Sequence, residues 1–239
     1  MLTVTSYEYI KWLQSLLDTS DPSYSTDHSP TRPITGIDIG TGSSAIYPLL
    51  GCASRSSWNF IGTELDSKSY SYATQNVEAN DLASRIRLHK VASPTDSLIP
   101  MDALGVDKVD FTMCNPPFFT SATDMTATHL TKARSPSAIC SGAPVEMIYD
   151  GNGEGGSGGD LGFVMRMLDE SMVLRERVQW YTSMLGKLAS ATALVQALKE
   201  RGISNWAVTS LQAGNVTRRW VVGWSFGDRR ARNVSLVPA

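Results

Sequence analysis

Four consecutive residues, Asn115-Pro116-Pro117-Phe118, set an amide, two rigid rings and an aromatic face side by side. The apolar, partly β-branched run before them, Val109 to Cys114, predicts a buried strand, so the tetrapeptide closes that strand at its carboxyl end. Pro116 drives Asn115 into an extended conformation, and two successive rings with fixed φ leave a loop that can hold acceptors still. The Asn115 side-chain oxygen and the Pro116 carbonyl can accept both hydrogens of one amino group, while Phe118 offers a surface for a planar ring. Two such acceptors favour a pyramidal nitrogen whose lone pair points away from them, and they stabilise the positive charge that develops on methylation. The same residues also make an ordinary proline-rich turn, so the rest of the chain must weigh on the choice.

A second constellation supports the chemical reading. Residues 34–39 predict a strand that delivers Asp38-Ile39-Gly40-Thr41-Gly42-Ser43-Ser44-Ala45, where Gly40 and Gly42 let the backbone turn tightly and approach a ligand. Residues 59–63 predict the next strand, ending in Glu64, whose carboxylate can take both hydroxyls of a ribose or simply sit satisfied at a strand end. The loop lacks the third glycine of a dinucleotide fingerprint and the Lys-Ser/Thr of a phosphate loop. A cofactor without phosphates fits, and S-adenosylmethionine is one.

Composition narrows the alternatives. With 239 residues, 42% hydrophobic and 18% charged, the chain suits a single α/β domain spanning 1–239, with 1–33 as an N-terminal helix and linker. A formal charge of −2 makes no global case for a nucleic-acid partner, so any such site must be local. Arg218, Arg219, Arg229, Arg230 and Arg232 form one cluster within fifteen residues, a basic site or a solvated tail. Cys52, Cys114 and Cys140 show no paired spacing, and His28, His89 and His129 form no ligand pattern, so no metal is expected and a reducing compartment is. No signal peptide and no membrane-spanning run are expected. No Ser, Cys or Asp nucleophile stands on an elbow with a His partner, which argues against a hydrolase.

The positioning elements follow from periodicity. Residues 7–17 predict a short amphipathic helix and 18–33 a linking loop. Further helices are expected over 46–50, interrupted by Pro48, and over 67–80, 161–177 and 188–201, with a third strand over 86–91 and a strand over 178–185. The loop 92–100 should lie over the cofactor's base. Strands 206–211 and 220–226, flanking Gln212-Ala213-Gly214-Asn215, predict an antiparallel hairpin that finishes a mostly parallel seven-stranded sheet. The segment 119–160, with six glycines between Gly151 and Gly159, predicts a lid or a flexible loop.

Taken together, Gly36-Ile37-Asp38-Ile39-Gly40-Thr41-Gly42-Ser43-Ser44-Ala45-Ile46-Tyr47-Pro48, Thr63-Glu64, Cys114-Asn115-Pro116-Pro117-Phe118-Phe119, Trp180-Tyr181-Thr182-Ser183-Met184-Leu185-Gly186-Lys187 and Trp224-Ser225-Phe226 resemble the methyltransferase-like protein 16 family of RNA adenine-N6 methyltransferases. The resemblance runs from about Tyr9 to Phe226. It implies a class I, Rossmann-like methyltransferase fold and methyl transfer from S-adenosylmethionine, leaving S-adenosylhomocysteine, to N6 of an adenosine in U6 spliceosomal RNA or a related hairpin. Bacterial relatives modify 23S ribosomal RNA. It further implies cofactor contacts from Asp38, Gly40, Thr41, Gly42, Ser44, Glu64, Thr95 and Asn115. Asn115, Pro116, Pro117 and Phe118 would hold a flipped adenine, with Phe119, Trp180, Lys187, Arg218 and Arg219 also facing substrate. A monomer acting in the nucleus or cytoplasm is expected.

Two departures stand out. The family carries a basic N-terminal module ahead of the helix at Tyr7, which implies a form without it, and an arginine where this chain has Ser6. The loop around Pro94 also lacks a lysine that relatives carry. Fungal psilocybin synthase shares the framework with Asn-Pro-Pro-Tyr expected in place of Asn-Pro-Pro-Phe, so a small-amine N-methyltransferase is the rival reading. An RNA-binding module with little turnover is a third.

Overall fold

A computed structural model describes residues 2–20, 32–123, 147–151, 158–213 and 217–230. In chain order these contain α1 (Leu2–Thr19), β1 (Ile34–Ile39), α2 (Ile46–Ser54), β2 (Trp58–Glu64), α3 (Ser67–Ala79), β3 (Ile86–Lys90), α4 (Met101–Leu104) and β4 (Val109–Cys114). After them come α5 (Gly159–Leu174), a 3-10 turn (Arg175–Arg177), β5 (Val178–Leu185), α6 (Leu188–Glu200), β6 (Asn205–Ala213) and β7 (Thr217–Ser225). The strands form one sheet in the order β3-β2-β1-β4-β5-β7-β6, parallel except where β7 pairs with β5 and β6. This is the expected α/β sheet with its antiparallel closing hairpin.

Layers cover both faces, which is why β1, β2, β4 and β5 are buried along almost their whole length, polar residues such as Asp38, Thr112 and Thr182 included. One core cluster joins α1, α2 and α3 to the sheet through Tyr9, Trp12, Leu16, Cys52 and Val77. The other joins α4, α5 and α6 through Met101, Met167, Leu168, Leu194 and Leu198. The methionines of α5 therefore fill core.

Several boundaries differ from expectation. Helix α1 begins near Leu2, where Ser6 reaches the hydroxyl of Tyr47 and so joins the start of α1 to the start of α2. Helix α2 runs to Ser54 uninterrupted, because Pro48 is its third residue and an N–H there has no partner within the helix. Asp66 starts α3 by accepting from the Ser69 amide at 2.8 Å. The helix expected over 161–177 ends at Leu174, since Arg175 takes φ 45° and the chain tightens into the 3-10 turn. Four-residue α4 is too short for periodicity to reveal. Strands β6 and β7 are longer than expected, taking in Gln212 and Ala213, while Gly214 and Asn215 lie outside the described residues.

Candidate active site

From β1 the sheet grows through β2 and β3 on one side and through β4 and β5 on the other, so the carboxyl ends of β1 and β4 border a crevice. Ile39 pairs with Cys114 across it, which makes Gly40 and Asn115 the next residues on adjacent strands, about 5 Å apart by strand spacing. The two constellations of the sequence meet there.

Main-chain bonds brace the glycine turn. Gly40 and Gly42 have φ of 68° and 66°, a left-handed conformation costly for other residues, and a Cβ at either would meet no atom within 4 Å. The Thr41 amide donates to the Thr63 carbonyl at 2.9 Å and the Gly40 amide to the Thr63 hydroxyl at 3.3 Å. Glu64 lies at the floor, 3% exposed, and accepts from the Gly42 amide at 2.9 Å and the Asp66 amide at 2.7 Å. Its carboxylate thus locks the turn to the start of α3. Thr41 is buried with its hydroxyl donating to Asp38 at 2.7 Å, so it supports the turn from beneath, whereas Ser44 is exposed.

Asp38 is fully buried, and its second oxygen has no hydrogen-bond partner among the described residues. Burial pushes its pKa up to about 7; the Thr41 hydroxyl works against this and the Glu64 charge adds to it. Burial, and then the Asp38 charge, hold the Cys114 thiol well above its ordinary value, so it is a core residue and not a nucleophile.

On the β4 side, the Asn115 side-chain oxygen is buried without a partner among the described residues. Pro116 is buried, and Pro117, Phe118 and Phe119 are half-buried. A Cβ on Gly186 would fall 2.9 Å from the Phe118 ring, so glycine is what lets that ring settle on the β5–α6 turn. Asp160 fixes the same turn, accepting from the Gly186 amide at 2.6 Å and the Ser190 hydroxyl at 3.0 Å. The Arg219 guanidinium lies 4.9 Å from the centre of the Phe118 ring. Burial lowers its pKa, while Asp160 and Tyr47 act in the opposite direction.

The ends of the glycine-rich segment are stitched to this loop. The Phe119 amide donates to the Met147 carbonyl at 3.0 Å, the Tyr149 amide to the Phe119 carbonyl at 2.9 Å and the Gly159 amide to the Tyr149 carbonyl at 2.7 Å. Residues 124–146 and 152–157, most of the expected lid, lie outside the described residues.

Three expectations need correction. Trp180, expected to face substrate, is fully buried and donates its indole N–H to Ser20 at 2.9 Å, because β5 is covered on both faces. The arginine cluster is split by β7. Arg218 and Arg219 open the strand near Phe118, whereas Arg229 and Arg230 lie past its far end beside Ser204 and Asn205, about 30 Å away by strand rise. Pro48 does not interrupt α2. Thr95 and Lys187 are exposed, the first in the loop after β3 and the second before α6. Arg232, His28, His129 and Cys140 lie outside the described residues. Asp160 and Gly186 escaped sequence reasoning, since an acid at a helix start signals a cap and gives no hint of a bond 26 residues away.

Among the described residues no group of three or more His, Cys, Asp or Glu could hold a metal, and no helix is long and apolar enough to cross a membrane.

A family model described as RNA methyltransferase matches residues 4–228. The U6 small nuclear RNA (adenine-(43)-N(6))-methyltransferase of Schizosaccharomyces pombe is 38% identical over 231 residues, 97% of this chain and 55% of that protein. The human RNA N(6)-adenosine-methyltransferase METTL16 is 38% identical over 225 residues, 92% of this chain and 37% of that protein. The chain thus spans about half or less of these relatives. Among solved structures, the human METTL16 catalytic domain in complex with MAT2A 3'UTR hairpin 1 superposes with a TM-score of 0.76 at 35% identity, covering 94% of this chain and 70% of that one. The N-terminal domain of human METTL16 in complex with SAH gives a TM-score of 0.69 at 34% identity, covering 93% and 70%.

Proposed function

The chain belongs to this RNA methyltransferase family, and from that premise we propose that it transfers a methyl group from S-adenosylmethionine to N6 of an adenosine in a structured RNA hairpin. The observation that carries the reading is the buried Asn115 oxygen at the β1/β4 crevice, without a partner among the described residues and opposite a braced glycine turn. A buried acceptor without a donor costs on the order of 1–3 kcal/mol, and at the carboxyl edge of the sheet an amino group of a ligand would offset that cost.

The residues present fit the cofactor. Space above Gly40 and Gly42 admits a close ligand, Asp38 holds a spare buried oxygen suited to an ammonium group, and no phosphate-binding lysine follows the turn. When bound, S-adenosylmethionine supplies an electrophilic methyl group. Phe118 stacks the adenine, and Asn115 with the Pro116 carbonyl accepts the two amino hydrogens, turning the nitrogen lone pair toward the methyl donor. Arg219, on the Phe118 ring, and Lys187 and Arg218 at the rim meet RNA phosphates, with Phe119 beside them; Thr95 and Ser44 border the cofactor. Relatives named for U6 small nuclear RNA suggest that substrate class, and a nuclear RNA would place a monomeric enzyme's work in the nucleus.

Incubation with labelled S-adenosylmethionine and a U6-type hairpin, followed by nucleoside analysis, tests the reading. N6-methyladenosine is the expected product. Label on a small amine and none on RNA would put the rival N-methyltransferase first, and binding of the hairpin without label would leave an RNA-binding module.

A further inference from the structure

Loop 92–100 leaves the sheet directly beside Glu64, since Lys90 pairs with Glu64 and the Val91 amide donates to the Glu64 carbonyl at 2.9 Å. The loop has no regular structure and is largely exposed, so its backbone groups bond either to water or to side chains from other elements. One turn of α5 supplies them. The Arg166 guanidinium donates to the Pro94 carbonyl at 2.7 Å and also to the Asp96 carbonyl, the two residues that flank Thr95. Four residues on, the Glu170 carboxylate accepts from the Ser97 hydroxyl at 2.8 Å, the Leu98 amide at 2.9 Å and the Ile99 amide at 3.0 Å. The two side chains also pair with each other, Nε to Oε1 at 3.5 Å. The opposite face of α5 is anchored in the core by Val164, Met167, Leu168 and Ser171, so the helix is a rigid support.

We infer that Arg166 and Glu170 are a positioning pair that sets the loop carrying Thr95 and, through it, the wall that the nucleoside end of the cofactor meets beyond Glu64. This rests on the proposed S-adenosylmethionine site. Neither side chain touches the reacting atoms. Arg166 holds the chain's carbonyls and Glu170 its amides, so the loop is gripped by both kinds of backbone group and has a single register. Local bonds finish it: the Ser93 amide donates to Asp96 at 2.9 Å, and the Ser93 and Thr95 hydroxyls lie 2.8 Å apart.

The test compares the whole chain with Glu170→Gln and Arg166→Lys, which keep size and much of the shape, and with Glu176→Gln on the exposed 3-10 turn as a control. Each of the first two should weaken S-adenosylhomocysteine binding by about five- to tenfold in calorimetry, the scale of a lost charge-assisted hydrogen bond. The KM for cofactor should rise likewise and the KM for hairpin RNA should stay within about twofold. In the cofactor-free protein, hydrogen exchange at the Leu98 and Ile99 amides should accelerate in Glu170→Gln and stay unchanged in the control. Wild-type binding matched by both variants would overturn the inference and leave the cofactor site standing. A parallel rise in both KM values would reduce the pair to a general structural role, and a wild type that binds no S-adenosylhomocysteine would remove the site and the inference together.

Discussion

The two sides of the crevice are built by different means. On the β1–β3 side, ligand-facing groups lie within a few residues of a strand end and are braced by main-chain bonds: Thr63 and Glu64 hold the amides of Gly40, Thr41 and Gly42. On the β4–β5–β7 side, the aromatic platform is assembled from distant parts of the chain, with Phe118 resting on Gly186, Asp160 pinning Gly186, and Arg219 arriving from the edge hairpin. On the proposed reading the first side holds the cofactor. The second, gathered from distant elements, would meet the larger substrate on the same reading.

The sharpest way to break this division is at Asn115, which belongs to the second side by position and, on the proposed reading, to the chemistry by an oxygen without a partner among the described residues. Asn115→Ala should lower the single-turnover rate of methyl transfer by about 10²–10³, the loss typical of one preorganised electrostatic partner. Hairpin affinity should hardly move, because most of it comes from phosphate contacts elsewhere. A variant with full rate but weak RNA binding would make Asn115 a docking residue and leave the catalytic assignment without support.

Glu64→Ala probes the other side. It removes a buried carboxylate that holds the Gly42 and Asp66 amides as well as any ribose contact. Calorimetry with S-adenosylhomocysteine should show a loss of about 1–3 kcal/mol, while affinity for RNA alone stays put. Equal cofactor affinities would take Glu64 out of the site.

The same contrast explains what could be read from sequence. Strands β1, β4 and β5 begin and end where expected, because each is a short run rich in β-branched, aromatic and other apolar residues with a few polar ones between. The glycine turn was legible for a related reason: its chemistry is local, a strand, two glycines and an acid one strand later. The platform was not. Nothing near Gly186 announces Phe118, and Trp180 owed its expected substrate role to the family resemblance, whereas its side chain is buried in the core. The arginines near the end looked like one patch until a nine-residue strand carried the two groups to opposite ends of the sheet.

Asp38 offers a smaller effect with a defined sign. Burial pushes its pKa up to about 7 in the folded chain, from an ordinary value of 3.8. Between those pH values the folded state binds more protons than the unfolded one, so this residue makes stability fall as pH rises, by up to about 1.4 kcal/mol per pH unit. Asp38→Asn keeps an acceptor for Thr41 and should flatten denaturant-derived stability between about pH 4 and about pH 7, with little difference from wild type only below about pH 4, where the unfolded carboxyl is protonated too. An unchanged slope would mean that another group titrates in that window.

The smallest expected effect is that of Arg219, and it is read against the ring that the guanidinium covers. Phe118→Ala removes a stacking face worth about 1–3 kcal/mol per base, so capture of the target adenine should weaken by that amount. Phe118→Tyr keeps the face and should keep most of the activity. Arg219 covers the ring at 4.9 Å, a contact worth about 0.5–1 kcal/mol at a partly exposed site. Arg219→Lys retains the charge and loses the planar group, so hairpin affinity should fall by only a few-fold and cofactor affinity should not change. In the double variant Arg219→Lys with Phe118→Ala the two losses should add to less than their sum, since the guanidinium has no ring left to lie on. Strict additivity in hairpin binding would mean that Arg219 serves the phosphates alone, and that the platform is Phe118 on Gly186 without an arginine lid.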